Sequence, residues 1–132
     1  MSTPPIQVLV VEDDEVSAQA ARTILERLGC QVDAAATGQE AIELFRQKTY
    51  DLILMDWQMP VMDGVEATAR IRGMPQGRVT PIIGTTANRG RAEVLAAGMN
   101  DLIPKPFVRE NLKRGLSKWT HWDETPQTES EL

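Results

Sequence analysis

Apolar residues along this chain follow two alternating patterns: short unbroken runs, and longer stretches in which they recur every three or four positions. The densest run is Leu52-Ile53-Leu54-Met55, and it ends abruptly on Asp56. Four apolar residues are far too few to cross a membrane; they predict a strand buried on both faces, as inside a parallel sheet. Ile6 to Val11 is rich in β-branched residues and predicts a strand whose tip carries the acids Glu12-Asp13-Asp14-Glu15. Val32 to Ala35, Pro81 to Thr86 and Asp101 to Ile103 are shorter strand candidates. Between the runs lie helical periods. Asp14 is a natural N-cap for a helix in which Val16, Ala20, Ile24 and Leu28 form the apolar stripe, closed by Gly29. Thr37-Gly38-Gln39-Glu40 is a capping-box pattern ahead of Ala41, Leu44 and Phe45. Val65 to Arg72, Arg91 to Ala97 and Arg109 to Thr120 complete the set, the last with Leu112, Leu116 and Trp119 on one side.

Five strand signals therefore alternate with five helix signals. Each parallel crossover needs a helix-length connection of one hand, so the order predicts an α/β fold: a doubly wound five-stranded parallel sheet with helices on both faces. At 132 residues there is room for one domain with a proper core. We place it at residues 6–120, after a flexible lead at 1–5 and before a flexible tail or linker at 121–132.

Composition narrows the class further. The hydrophobic share of 42% and charged share of 25% exclude a disordered or fibrous chain. A net charge of -5 speaks against general nucleic-acid binding. Cys30 is the single cysteine, so no intrachain disulfide or cysteine metal cluster can form. With no signal peptide and no long apolar run, the expected location is the cytoplasm, or the cytoplasmic part of a membrane-bound protein, with no membrane contact by this domain.

In a parallel sheet the carboxyl ends of all strands share one edge, where open α/β sheets bind ligands. That edge would collect Glu12 and Asp13, Asp56, Thr86 and Lys105. Three carboxylates cannot sit together ionised without taking up a proton or a cation. Oxygen donors without imidazole or thiolate favour Mg²⁺, with Mn²⁺ as an alternative. A cation, an ammonium and a hydroxyl at one edge suit a phosphoryl group, whose charge they would share.

The ordered blocks Val10-Val11-Glu12-Asp13, Leu54-Met55-Asp56 with Met59-Pro60 and Met62-Asp63-Gly64, Thr86-Ala87, and Lys105-Pro106 resemble the receiver domain of two-component response regulators. The resemblance runs from about Ile6 to Trp119 and is similar above all to receivers of hybrid sensor histidine kinases. It implies a flavodoxin-like strand order 2-1-3-4-5 and a phosphoacceptor role for Asp56, served by a partner's phosphohistidine. It further implies that Asp13 binds Mg²⁺ directly, Glu12 mainly through water, and the backbone carbonyl of Gln58 as a further ligand. Thr86 would bond a phosphoryl oxygen, Lys105 would pair with its charge, and the Lys105-Pro106 bond would be cis. The implied partners are a histidine kinase or a histidine phosphotransfer protein, the implied state a monomer or weak dimer, and the implied activity signalling with slow self-dephosphorylation.

The sequence departs from the family pattern in several places; Gly84, where a larger apolar strand residue is common, predicts looser packing of the fourth strand. Leu102 stands where an aromatic switch residue is common, so an aromatic in-out switch is excluded. Ala87-Asn88-Arg89-Gly90-Arg91 is polar and glycine-bearing, a candidate mobile loop. Met55, Met59 and Met62 are expected as packing, His121 without a role, Trp57 as a half-exposed neighbour of the acceptor, and Asp63-Gly64 as a helix start. Alternatives to a hybrid-kinase receiver are a stand-alone single-domain regulator and an aspartate-nucleophile phosphohydrolase. The hydrolase chemistry wants an acid where Gln58 stands. A nucleotide binder would need a glycine-rich loop after the first strand, which is absent from the sequence.

Overall fold

The computed structural model describes residues 4–59 and 62–124. The start of the expected lead, Pro60 and Val61 of the loop after Asp56, and the expected tail from Thr125 onward lie outside the described residues. Five strands, β1 (Gln7–Val11), β2 (Gln31–Ala35), β3 (Leu52–Asp56), β4 (Ile82–Thr86) and β5 (Asp101–Pro104), alternate with helices α1 (Glu15–Arg27), α2 (Gly38–Gln47), α3 (Gly64–Arg72), α4 (Arg91–Ala96) and α5 (Arg109–Trp119). All strand pairs are parallel in the order β2-β1-β3-β4-β5, the predicted doubly wound arrangement.

Side-chain alternation along the strands divides the core in two. Leu9, Val11, Ile53 and Met55 face α2, α3 and α4 through Phe45, Ile71 and Val94. Val8, Val10, Leu52 and Leu54 face α1 and α5 through Leu25, Leu112 and Leu116. Every residue of β3 is buried, as its unbroken apolar run requires of a strand covered on both sides. At the edge strand β2 only Ala35 is buried.

Helix starts obey the caps in the sequence. Asp14, Thr37 and Asp63 each accept a first-turn N–H, from Ser17, Glu40 and Glu66 respectively. Glu40 reaches back as expected, to the Ala36 N–H at 2.6 Å. Gly29 and Gly98 end α1 and the α4 segment with φ of 94° and 97°, the left-handed region that glycine enters without steric cost.

Three expectations need correction. The stripe assigned to α1 is half right: Ile24 and Leu28 pack partly buried against the core, but Val16 is 77% exposed and Ala20 is exposed, while Ala21 and Leu25 are the fully buried residues. The exit from β1 and the Asp14 cap set the phase of this helix, and small Ala21 lets it lie close to the sheet. Gly84 does not loosen β4. A Cβ there would stand 2.6 Å from the Met99 sulfur and 2.9 Å from a Val94 methyl, so these side chains already fill the space. The segment from His121 does not part from the fold at once, because the Trp122 indole N–H donates to the Leu28 carbonyl at 2.8 Å and its ring packs on the α1/α5 core. Within the loop after α3, Gln76–Arg78 forms a short 3₁₀ turn. Arg72 holds that loop by donating to the carbonyls of Gly77 and Thr80, both at 2.7 Å.

Candidate functional site

Strands β1 and β3 are neighbours, so the residues at their carboxyl ends meet. Asp56 ends β3 and is 4% exposed; Glu12 follows β1 and is 3% exposed; Asp13 beside it is open to solvent. One carboxylate oxygen from each of the three lies within 4.8 Å of the others. Lys105, arriving from the far side of the sheet after β5, places Nζ 2.6 Å from Glu12 Oε1 and 3.0 Å from Asp56 Oδ1. Backbone bonds fix the frame: the Glu12 N–H donates to Ala35 O at 2.9 Å, Trp57 N–H to Thr85 O at 3.0 Å, and Lys105 N–H to Thr86 O at 3.0 Å. Gly64 brings the start of α3 against the end of β3. A Cβ at that position would lie 2.0 Å from the Asp56 carbonyl oxygen, so no larger residue fits.

The electrostatics are unbalanced. Burial pushes the Asp56 carboxyl up to about 7, and the Glu12 carboxylate adds to the push against the opposing pull of Lys105. Burial works against the Lys105 charge, but its bonds to Glu12 and Asp56 outweigh that and hold its pKa above the ordinary value. One ammonium thus faces three acids. Glu12 Oε2 accepts the Asp14 N–H at 3.1 Å, and buried Oε1 is paired with the Lys105 ammonium at 2.6 Å. Three carboxylates sharing one ammonium, with oxygen as the only donor type, fit a hard divalent cation such as Mg²⁺.

The profile of the response regulator receiver domain matches residues 8–117. This chain belongs to the response regulator receiver family. Among relatives of this receiver domain, the aerobic respiration control sensor protein ArcB of Escherichia coli is 38% identical over 98% of the chain, which spans 17% of ArcB. The receiver domain of sensor histidine kinase PA1611 from Pseudomonas aeruginosa, solved with a magnesium ion coordinated in its active site cleft, superposes with a TM-score of 0.82 at 42% identity, covering 88% of this chain and 98% of that one. The receiver of Saccharomyces cerevisiae Ssk1, solved with the histidine phosphotransfer protein Ypd1, gives 0.78 at 28% identity, covering 92% of each chain. A receiver domain is a signalling domain, and no helix among the described residues is long and apolar enough to cross a membrane.

Of the residues singled out in sequence, the receiver fold brings Glu12, Asp13, Asp56 and Lys105 together. Thr86 ends β4 buried, one residue past the Thr85 that pairs with Asp56, and its hydroxyl meets Asn88 N–H and Oδ1 at 3.2 and 3.3 Å. Gln58 lies exposed in the loop after β3, two residues beyond Asp56. The Lys105-Pro106 bond is cis, as expected. Met55, Met59 and Met62 are buried packing residues. Sequence reading missed two features: the Arg89 guanidinium over the Trp57 ring, 5.9 Å from its centroid, and the donors gathered on Asp101 from α4 and α5. Neither carries a local pattern. Each joins residues that become neighbours only when the sheet forms.

Proposed function

We propose that Asp56 accepts a phosphoryl group from a phosphohistidine on a partner protein and that the aspartyl phosphate shifts the receiver between two conformations. The observation that carries this reading is the convergence of three carboxylates within 4.8 Å with Lys105 bridging two of them. Glu12, Asp13, Asp56 and the Gln58 carbonyl would hold Mg²⁺, the divalent ion, or Mn²⁺ in its place. Bound there, a divalent cation supplies positive charge that offsets the acids and the oxygens of the transferring phosphoryl group.

The chain's own residues do the rest. An Asp56 oxygen attacks phosphorus as the bond from phosphorus to the histidine nitrogen breaks, so the phosphoryl group moves whole and the imidazole leaves. Lys105 stays near Asp56 to pair with the group's charge, and the Thr86 hydroxyl turns from Asn88 to one of its oxygens. Loss of the Thr86–Asn88 bonds couples occupancy of Asp56 to the loop after β4. Because Leu102 is half-buried against the α2/α3/α4 core, the output does not use an aromatic side chain at that position.

The donors that fit are a histidine kinase or a histidine phosphotransfer protein, with a hybrid sensor kinase as the parent, a reading supported by the likeness to ArcB and to the Ssk1 receiver bound to Ypd1. Incubation with Mg²⁺ and a small-molecule phosphodonor, followed by intact mass, tests the acceptor. One phosphoryl adduct is expected on the native sequence and none on Asp56→Asn. An adduct that survives the substitution sinks the assignment, and sustained phosphate release from unrelated monoesters would point to a hydrolase.

A further inference from the structure

The aromatic residue beside the acceptor carries a cation from the neighbouring loop. Trp57 directly follows Asp56, and its N–H bond to Thr85 extends the β3–β4 pairing one step past the strand. Its ring is half-buried and rests on the core shared by α2, α3 and α4. The Arg89 guanidinium carbon lies 5.9 Å from the ring centroid, within range of a cation–π contact, and Glu93 steadies the same guanidinium at 3.7 Å. Arg89 stands three residues after Thr86, in the loop whose Asn88 holds the Thr86 hydroxyl. The stack therefore joins the two loops that flank Asp56.

We infer that Arg89 and Trp57 form a clasp that holds the loop after β4 against the end of β3, making Arg89 a positioning residue that keeps water from the phosphoryl group on Asp56. The inference rests on the acceptor role proposed above. In the loss reaction a water oxygen forms a bond to phosphorus, the bond from phosphorus to the Asp56 oxygen breaks, and the carboxylate and inorganic phosphate separate with the water's proton passing to solvent. Opening the clasp exposes phosphorus to that water without touching Glu12, Asp13 or Lys105. An exposed cation–π contact of this kind shifts a loop equilibrium by roughly two- to fivefold. Lysine keeps the charge but loses the flat, stacking guanidinium.

The test phosphorylates the protein with a small-molecule donor and Mg²⁺, removes the donor, and follows decay of the adduct by intact mass. Arg89→Ala and Trp57→Leu are each expected to shorten the lifetime about two- to fivefold, the double variant no further than either alone, and Arg89→Lys to lie near Arg89→Ala. With fluorotryptophan incorporated, the Trp57 resonance should move in Arg89→Ala while those of Trp119 and Trp122 stay, a signature that general loosening would not produce. Equal lifetimes with a normal adduct, additive effects in the double variant, or an unmoved Trp57 resonance overturn the clasp. A native protein that takes no adduct overturns the acceptor reading and the clasp together.

Discussion

Asp56 and Asp101 are both aspartates sunk in the sheet, 4% and 8% exposed, yet their surroundings drive them in opposite directions. Burial opposes the charge of each. At the start of β5, Asp101 receives Arg91 at 2.5 Å and its neighbour Leu102 N–H at 2.8 Å on one oxygen, and Trp119 Nε1 at 2.8 Å on the other. Those donors overcome burial and hold its pKa below the ordinary carboxylate range. At the end of β3, Asp56 shares its single ammonium with Glu12, and its pKa rises to about 7. Burial alone therefore does not mark a reactive acid. A carboxylate supplied with enough donors is a tie between elements, here α4, β5 and α5, while one short of positive charge remains ready for a cation or a phosphoryl group.

The sharpest way to separate the two acids is their chemistry. Asp101→Asn is expected to leave phosphoryl uptake measurable by intact mass, in contrast to its complete loss in Asp56→Asn. Stability should separate them next. The folded protein holds a proton on Asp56 more tightly than the unfolded chain does, so the contribution of this group is full below about pH 4 and is lost as pH rises through about 7. Asp56→Asn should then be more stable to denaturant than the native protein above pH 7, by an amount on the order of a few kcal/mol, with the gap closing toward pH 4. Addition of Mg²⁺ should narrow the same gap from the other side, by binding the native acids and raising their melting temperature.

Asp101 must show the opposite slope. Its folded pKa lies below the unfolded value, so its contribution is present above about pH 4 and fades as pH falls through the folded pKa. Asp101→Ala should cost roughly 1–3 kcal/mol at neutral pH in denaturant titration, because Trp119 and Arg91 lose their acceptor. Parallel pH profiles for the two variants would collapse the distinction between tie and acceptor. The smallest effect is expected at the far end of the fold, where Trp122→Phe keeps an aromatic ring on the core but removes the hydrogen bond to Leu28 and should cost about 1 kcal/mol. A larger loss there would mean that the residues after α5 support the α1/α5 core more than this one bond suggests.

Much of the fold was legible because its signals are local. The apolar run at Leu52 to Met55, the caps at Asp14, Thr37 and Asp63, and the stops at Gly29 and Gly98 each act within a few residues. The phase of α1 was misread for the converse reason. Val16, Ala20, Ile24 and Leu28 make a plausible stripe, but which side of a helix turns inward depends on how the chain leaves β1, and the inward side centres on Ala21 and Leu25, with Ile24 and Leu28 at its margin and Val16 and Ala20 outside it. Gly84 misled similarly, since the atoms that fill its space belong to Val94 and Met99, in other elements.

The sequence by itself determined the order of strands and helices, the acids and hydroxyls at the strand ends, and the family resemblance those blocks carry in order. A parallel sheet sends every strand end to one edge, so the meeting of Glu12, Asp13, Asp56 and Lys105 followed from connectivity. Only the tertiary structure decided how their charges balance. Whether a buried carboxylate is matched, like Asp101, or left short, like Asp56, depends on donors brought in from distant helices and strands. Electrostatic energies at such sites change with separations of an ångström and with the water excluded around them, and spacing along the chain encodes neither.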